Sequence, residues 1–234
     1  LKTSVNIASH KQRERFLKMT LDCIKAQNTK PDVINVYLND YDSVPEFCKG
    51  VNAVLGKDAA GDLKASGKFY FIDDWDGVYI TCDDDLFYPK DYVGYIKDLL
   101  NQNNYDSVVG FHGTKYKSFP VKSYYHDQKY KYHYASGVYP NANVDMLGTG
   151  TMGMHTKLGV KLSLFEYPNM CDPQLMKYLV ENNIPQLCLS RAENYIHDHV
   201  GSQEGKCIWK DVAYGNDAIQ TEIVNSIKNY EYYV

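Results

Sequence analysis

Three consecutive carboxylates, Asp83, Asp84 and Asp85, directly follow the apolar run VYITC at residues 78–82. Neighbouring negative charges repel unless something positive sits among them, and a hard divalent cation does this best. Mg2+ or Mn2+ takes oxygen ligands and commonly bridges one or two carboxylates to the phosphates of a substrate. The other account of the same residues is a solvated acidic turn ahead of a helix, whose positive N-terminal end favours carboxylates. The triplet alone leaves both accounts open.

Other candidate groups are spread along the chain. Lys68 closes the polar stretch GKDAAGDLKASGK (56–68); it suits a phosphate, and it reads equally well as a surface lysine. In LGTGT (147–151), Gly148 and Thr149 fit a loop where backbone approaches a ligand closely, since glycine leaves space and tolerates positive φ. An ordinary turn between antiparallel strands has the same composition. Asp172 precedes Pro173 at the start of an expected helix, either as a carboxylate that accepts a proton or as a helix cap. Glu166 is its nearby rival. His197-Asp198-His199 offers imidazoles to a metal, although paired surface histidines are commoner. Lys115, Lys117, Lys122, Lys129 and Lys131, interleaved with tyrosines and His126, read as a solvated loop or as one wall of a ligand site.

The elements that must position these groups follow from periodicity. Residues 2–8 read as a strand and 13–27 as a helix, with Phe16, Thr20, Cys23 and Ile24 at helical spacing. Residues 33–38 (VINVYL) form a β-branched strand ending in a polar turn at 39–43, and 69–72 and 78–82 read as further strands. Pro89 opens a helix carrying Val93, Ile96, Leu99 and Leu100, and 107–110 is another strand. This alternation predicts a mostly parallel sheet covered by helices, with ligands at the carboxyl ends of the strands, where the triplet lies. Beyond residue 110 the pattern breaks. Lys, His and Tyr run without helical period to 139, glycines recur over 144–155, a helix is expected over 173–183 and a short strand at 185–189. The tail is polar, with apolar anchors at 219–227.

Composition narrows the function classes. With 234 residues, 44% hydrophobic and 23% charged, the chain can bury a full core as one domain. A net charge of -4 and a pI near 6.0 argue against nucleic acid, whose binders carry a basic field over one face. No apolar run approaches the roughly 18 residues of a membrane span. The six cysteines lack any CxxC pair or zinc spacing, so reduced thiols in a cytoplasmic protein are expected. The chain opens at Leu1 rather than Met, which leaves room for a longer parent protein. The 22 tyrosines suit wet clefts that stack on sugars, or simply an aromatic core with hydroxyls at its rim.

Taken together, NIASHKQR after the first strand, GDLKASGK, and the apolar strand running into DDDLFYP resemble the GT-A glycosyltransferases, with Asp83-Asp84-Asp85 as their DXD motif. Family 2 and related capsular or viral sugar transferases are nearest in style. The likeness covers about 2–98 and, more loosely, about 145–191. It implies an α/β fold of GT-A type, with a Rossmann-like nucleotide-binding half (about 1–110), a mixed central sheet and a loop-rich acceptor-binding half (about 111–234).

The same resemblance implies roles. Ala8, Ser9 and Arg13 would lie against the nucleoside, Asn39 and Asp40 against base or ribose, and Asp62 and Lys68 against the nucleotide or its diphosphate. Asp83 would meet the ribose and Asp84 would line the donor site. Gly148 and Thr149 would belong to the donor-sugar pocket. Asp85, with Asp83 and a returning His199, would hold Mn2+ or Mg2+. Asp172 would act as general base in an inverting transfer from a nucleotide diphosphate sugar, UDP-linked by expectation, to a glycan or glycoprotein hydroxyl. A sugar nucleotidyltransferase is the rival enzyme, but the glycine-rich, arginine-bearing loop it needs is missing from Ser9-His10-Lys11-Gln12. A non-catalytic sugar- or metal-binding module is the rival outside enzymes.

Overall fold

Strands buried at both parities are covered on both faces, and three segments have that character: β1 (Thr3–His10), β2 (Val33–Asn39) and β4 (Val78–Cys82), the last buried throughout. The computed structural model describes residues 1–204 and 217–228. In it these strands join β3 (Asn52–Leu55), β6 (Val108–Gly110), β9 (Ala142–Asn143), β11 (Thr151–His155) and β12 (Gln186–Cys188) in an eight-stranded sheet ordered β3-β2-β1-β4-β11-β6-β12-β9. The first four strands are mutually parallel, β11 runs antiparallel to both β4 and β6, and β12 is parallel to β6 but antiparallel to β9. The fold is therefore α/β with a mixed sheet.

Each face of the sheet has its own core. On one, Val5, Ile7, Ile80 and Cys82 pack against Leu17, Leu21 and Ile24 of α1 (Glu14–Lys25) and Val93, Ile96 and Leu100 of α2 (Tyr92–Gln102). On the other, Tyr79, Val108, Met152 and Met154 pack against Phe69, Leu175 and Leu179, the last two from α3 (Cys171–Glu181). The alternation of Tyr79 and Ile80 between cores is the period-two signature of a strand. A ladder of amides, buried at Asn6 and Asn35 and exposed at Asn52, fixes the parallel register: Asn35 donates to Asn6 at 2.7 Å, Asn52 donates to Asn35 at 2.7 Å, and Asn6 donates to the Ile80 carbonyl at 3.0 Å. A slip by one residue would strand these amides without partners.

Two smaller sheets flank the main one. β10 (Met146–Leu147), β7 (Gly113–Tyr116) and β8 (Gln128–Tyr132) form one, with β8 at its edge; β5 (Leu86–Phe87) and β13 (His197–Asp198) form the other. Under the first, Tyr116, Val121, Tyr124 and Met146 close a third core with Met176 and Val180 of α3 and Val224 of α4 (Ala218–Asn225).

Several sequence expectations change here. Residues 69–72 are not a strand: a 3-10 helix spans Lys64–Phe69, and Ile72 turns back to bond the Phe69 carbonyl at 3.1 Å. β4 is already paired on both edges, by β1 and β11, so no slot beside it remains. Phe69 and Ile72 then reach the core at a spacing of three residues, a helical period. Among the strands without a sequence signal is β3, whose short run NAVL carries a polar first residue at the sheet edge; the short strands β5, β7 to β11 and β13 are others. The helix expected from Pro89 starts at Tyr92, and the one expected from Pro173 starts earlier, at Cys171.

Candidate functional site

β1 has β2 on one side and β4 on the other, so the chain reverses its direction of travel across the sheet at the β1–β4 pair. Loops leaving two such strands part, and a crevice opens at their carboxyl ends. The register sets Ile7 beside Cys82, which puts Ala8 and Ser9 alongside the aspartate triplet.

On one side of the triplet Asp84 is buried, with 6% of the residue exposed. Ser9 Oγ donates to its Oδ2 at 2.6 Å and Arg13 Nε to its Oδ1 at 2.8 Å, while another Arg13 nitrogen reaches Asp85 Oδ2 at 2.5 Å. One guanidinium therefore spans two adjacent carboxylates. Burial pushes the Asp84 carboxyl above the ordinary range despite Arg13 and Ser9. It also raises Asp85, to about 7, with the charges of Asp84 and Asp83 adding and Arg13 opposing.

The pairing of β13 with β5 brings the tail to this point. The His199 amide donates to the Asp85 carbonyl at 2.9 Å, but the His199 ring turns away, its Nε2 lying 3.2 Å from Thr20 Oγ1. The histidine expected as a metal ligand thus meets the triplet through its backbone. Gln203, which nothing in its sequence context marks, donates to Asp85 at 3.3 Å and to Asp198 at 2.7 Å.

On the other side the partners come from four separate segments. The Lys68 ammonium is buried and pairs with Asp83 Oδ1. Burial pulls its pKa down, yet Asp83, with Cys171 and Asp172 adding, holds it above its usual value, so it stays charged. Asp172 lies in the first turn of α3; it is not the N-cap, a position held by Met170. Its Oδ1 accepts from the Thr149 amide at 2.8 Å and the Thr149 hydroxyl at 2.7 Å. Burial still raises the Asp172 carboxyl, outweighing those bonds and Lys68. The cap account of Asp172 is therefore replaced by a tertiary one.

Gly150 has a specific reason to be glycine, since a Cβ there would come within 1.9 Å of Asp83 Oδ2. Tyr88 locks the same spot: its hydroxyl accepts from the Asp83 amide at 2.8 Å and donates to the Gly150 carbonyl at 2.6 Å. Gly148 packs against His112, where a Cβ would sit 3.2 Å from the His112 Cβ.

The remaining expected residues are placed less centrally. Asn39 is buried, and its side chain is taken up by both backbone polar groups of Lys64, at 3.0 and 3.1 Å; it shapes the 61–64 loop rather than facing the crevice. Asp40 is exposed and lies 3.3 Å from His10 Nε2. Asp62 is exposed and accepts from the Lys64 amide at 3.1 Å. Glu166 is exposed, as are Lys117, Lys122, His126, Lys129, Lys131 and His197, while Lys115 pairs with Asp145 at 3.1 Å. A cavity of about 150 Å³ opens between the turn after β1 and the loop after β2, lined by Lys11, Glu14, Tyr41, Asp42, Ser43 and Pro45.

Among the described residues, no group of three His, Cys, Asp or Glu side chains is arranged to hold a metal ion. The five described cysteines are free, and Cys207 lies outside the described residues. No described helix is long and apolar enough to cross a membrane. No family model matches the chain, and no curated protein is significantly similar to it.

Proposed function

We propose that the chain is a metal-dependent glycosyltransferase of GT-A type, moving a sugar from a nucleoside diphosphate donor, a UDP-sugar, to a glycan hydroxyl. The observation that carries this reading is the gathering, at the crevice between β1 and β4, of four carboxylates around two cations, Arg13 and Lys68. That excess of negative charge suits a divalent cation arriving with a diphosphate.

The donor set fits such an ion. Mg2+ and Mn2+ sites at phosphates usually draw only one or two protein carboxylates, the rest coming from water and substrate. Asp83, half exposed, and Asp85, whose raised pKa is relieved by an added positive charge, would hold it. When bound, the metal supplies charge stabilisation for the departing diphosphate. His199 is left out of this set because its ring is engaged by Thr20.

The chain's own residues supply the rest. Arg13, partly exposed, is positioned to exchange a carboxylate for a phosphate oxygen, and the cavity bounded by Tyr41 and Lys11 accepts the nucleoside end. Thr149 holds Asp172 at the opposite wall, where Asp172 takes the proton from the acceptor hydroxyl as that oxygen attacks the anomeric carbon. Its raised pKa makes it a stronger base once ionised. Attack from the face opposite the leaving diphosphate inverts the anomeric configuration.

A thermal-shift titration with UDP, GDP and CDP, each with and without Mn2+, tests the reading, followed by hydrolysis assays on the nucleotide sugars of the responding base. UDP is expected to raise Tm only with Mn2+, and Asp85→Ala to abolish that response in a protein with unchanged circular dichroism. Indifference to every nucleotide would return the chain to a sugar- or metal-binding module.

A further inference from the structure

The lysines of residues 115–131 are organised by the fold. The segment carries five lysines, His126 and a single acid, Asp127, in a chain whose net charge is -4. Asp127 forms no ion pair with these lysines among the described residues; its Oδ2 accepts from the backbone amides of Lys122 and Ser123. Lys115 is paired with Asp145. Lys117, Lys122, Lys129 and Lys131 have no carboxylate within salt-bridge distance among the described residues.

Three of the exposed side chains, Lys129, Tyr130 and Lys131, lie in sequence on β8, the edge strand of its sheet among the described residues. The register with β7 slips between Lys115 and Tyr116, leaving Lys129 without a counterpart, and its ammonium sits 5.5 Å from the Tyr130 ring centroid. At the inner end of β8 the chain continues into His133 and Tyr134, whose rings are 4.0 Å apart. The His112 ring lies 5.3 Å from His133 and 5.6 Å from Tyr134. His112 packs on Gly148, beside Thr149 and Gly150. The Tyr134 hydroxyl donates to Asp198 at 2.8 Å, and Gln203 joins Asp198 to Asp85. Rings and then ammoniums therefore lead outward from the carboxylate crevice to the edge of β8.

We infer that this track binds the acceptor, and that the acceptor is an acidic glycan whose charged sugars lie along Lys129 and Lys131 while its reacting end rests on the His112, His133 and Tyr134 rings. The inference rests on the transferase reading above. Aromatic faces suit the C–H faces of sugar rings, and ammoniums pair with carboxylate, sulfate or phosphate substituents. The charge distribution separates such a chain from a denser polyanion. Duplex nucleic acid carries one charge per roughly 1.7 Å of axis and would be repelled at the inner end, where Asp198, Asp85 and Asp83 gather. A glycan with spaced acidic sugars presents a neutral hydroxyl there.

The test uses the chain as it stands with a fluorescently labelled oligogalacturonate and a neutral cello-oligosaccharide of the same length, by anisotropy at low and moderate salt. Lys129→Glu combined with Lys131→Glu is compared with wild type, and Tyr130→Ala serves as a second, uncharged variant. Expected results are saturable, salt-sensitive binding of the oligogalacturonate only, weakened at least about tenfold in the double variant and more modestly in Tyr130→Ala. UDP with Mn2+ is titrated on the same preparations, so failure of the donor reading is seen separately. Equal binding of the neutral oligosaccharide, or unchanged oligogalacturonate affinity in both variants, overturns the proposal. Tighter binding to phosphatidylserine vesicles or to duplex DNA than to the oligogalacturonate also overturns it, and assigns the track to a lipid surface or a nucleic acid.

Discussion

Arg13 and Lys68 both neutralise the aspartate triplet, by different constructions. Arg13 comes from the turn immediately after β1, keeps 27% of its side chain exposed and divides its donors between Asp84 and Asp85. Lys68 comes from a 3-10 turn on the other core face, keeps only 4% exposed, pairs with Asp83 and feels the charge of Asp172. A partly exposed guanidinium shared between two acids can turn one donor to a new partner while the other stays on Asp84, whereas a buried ammonium has nowhere else to go. The Arg13 side is therefore suited to handing a carboxylate over to a ligand, and the Lys68 side to holding geometry around the base.

The sharpest way to break this contrast is at the base. Asp172→Asn keeps the bonds from Thr149 but cannot accept a proton, and transfer should fall at least about a hundredfold while the UDP–Mn2+ thermal shift persists. Near-normal transfer would hand the role to another group and remove the chemistry from the Lys68 side. Next in size, Lys68→Met should lower unfolding stability by roughly 2–3 kcal/mol, less than a wholly buried pair loses because Asp83 is half exposed. Arg13→Gln should cost clearly less in the same urea titration and weaken UDP binding more. Equal losses at the two positions would erase the distinction.

A third measurement is the pH profile of kcat/KM. Asp172 works only when ionised, and burial raises its pKa, so activity should climb with pH through a half-point above the ordinary carboxylate range near 3.9. Thr149→Val removes one of the bonds that favour the carboxylate and should move that half-point higher. An unmoved limb would detach Thr149 from the base. A fourth measurement is of stability against pH. His112 is held neutral, with its pKa at about 3, chiefly by burial and then by His133, whereas an unfolded histidine titrates near 6.5. Between these values the unfolded chain binds the extra proton, so stability is complete above about 6.5 and declines as pH falls toward 3. His112→Leu should flatten that part of a Tm-versus-pH series, and an unchanged slope would show His112 to be more open than its packing implies.

The same contrast explains what could be read from sequence. The Arg13 side is built from short stretches with strong local signatures: a buried strand, a polar turn, three adjacent acids. Asp84 stands out from the triplet itself, whereas Ser9 and Arg13 are reached only through the resemblance carried by NIASHKQR. The Lys68 side joins residues 68, 83, 149 and 172, and no local pattern states that the Thr149 hydroxyl meets Asp172 or that Gly150 leaves room for Asp83. Residues 69–72 misled because four apolar residues in a row fit either a strand or a turn feeding a core. The choice was made by the occupancy of both edges of β4, a fact about strand order. Asn39 carried a ligand-like residue type, but its amide is satisfied by the backbone of Lys64.

The position of β11 governs when the site comes into being. β4 and β6 are its neighbours on either side, yet both precede it in the chain, and β6 pairs otherwise only with the still later β12. As the chain is synthesised, the β3-β2-β1-β4 unit can form with one edge bare, while residues 108–110 have nothing to join until residue 155 is made. Closing that gap requires a long loop to fold back, a slow step governed by sequence separation rather than by local preference. Gly148, Thr149 and Gly150 ride in on the leading end of this strand. Asp83 thus spends the early part of the protein's life as an exposed acid at an open sheet edge, and pulse-labelled amides of β1 and β2 should gain protection before those of β6 and β11.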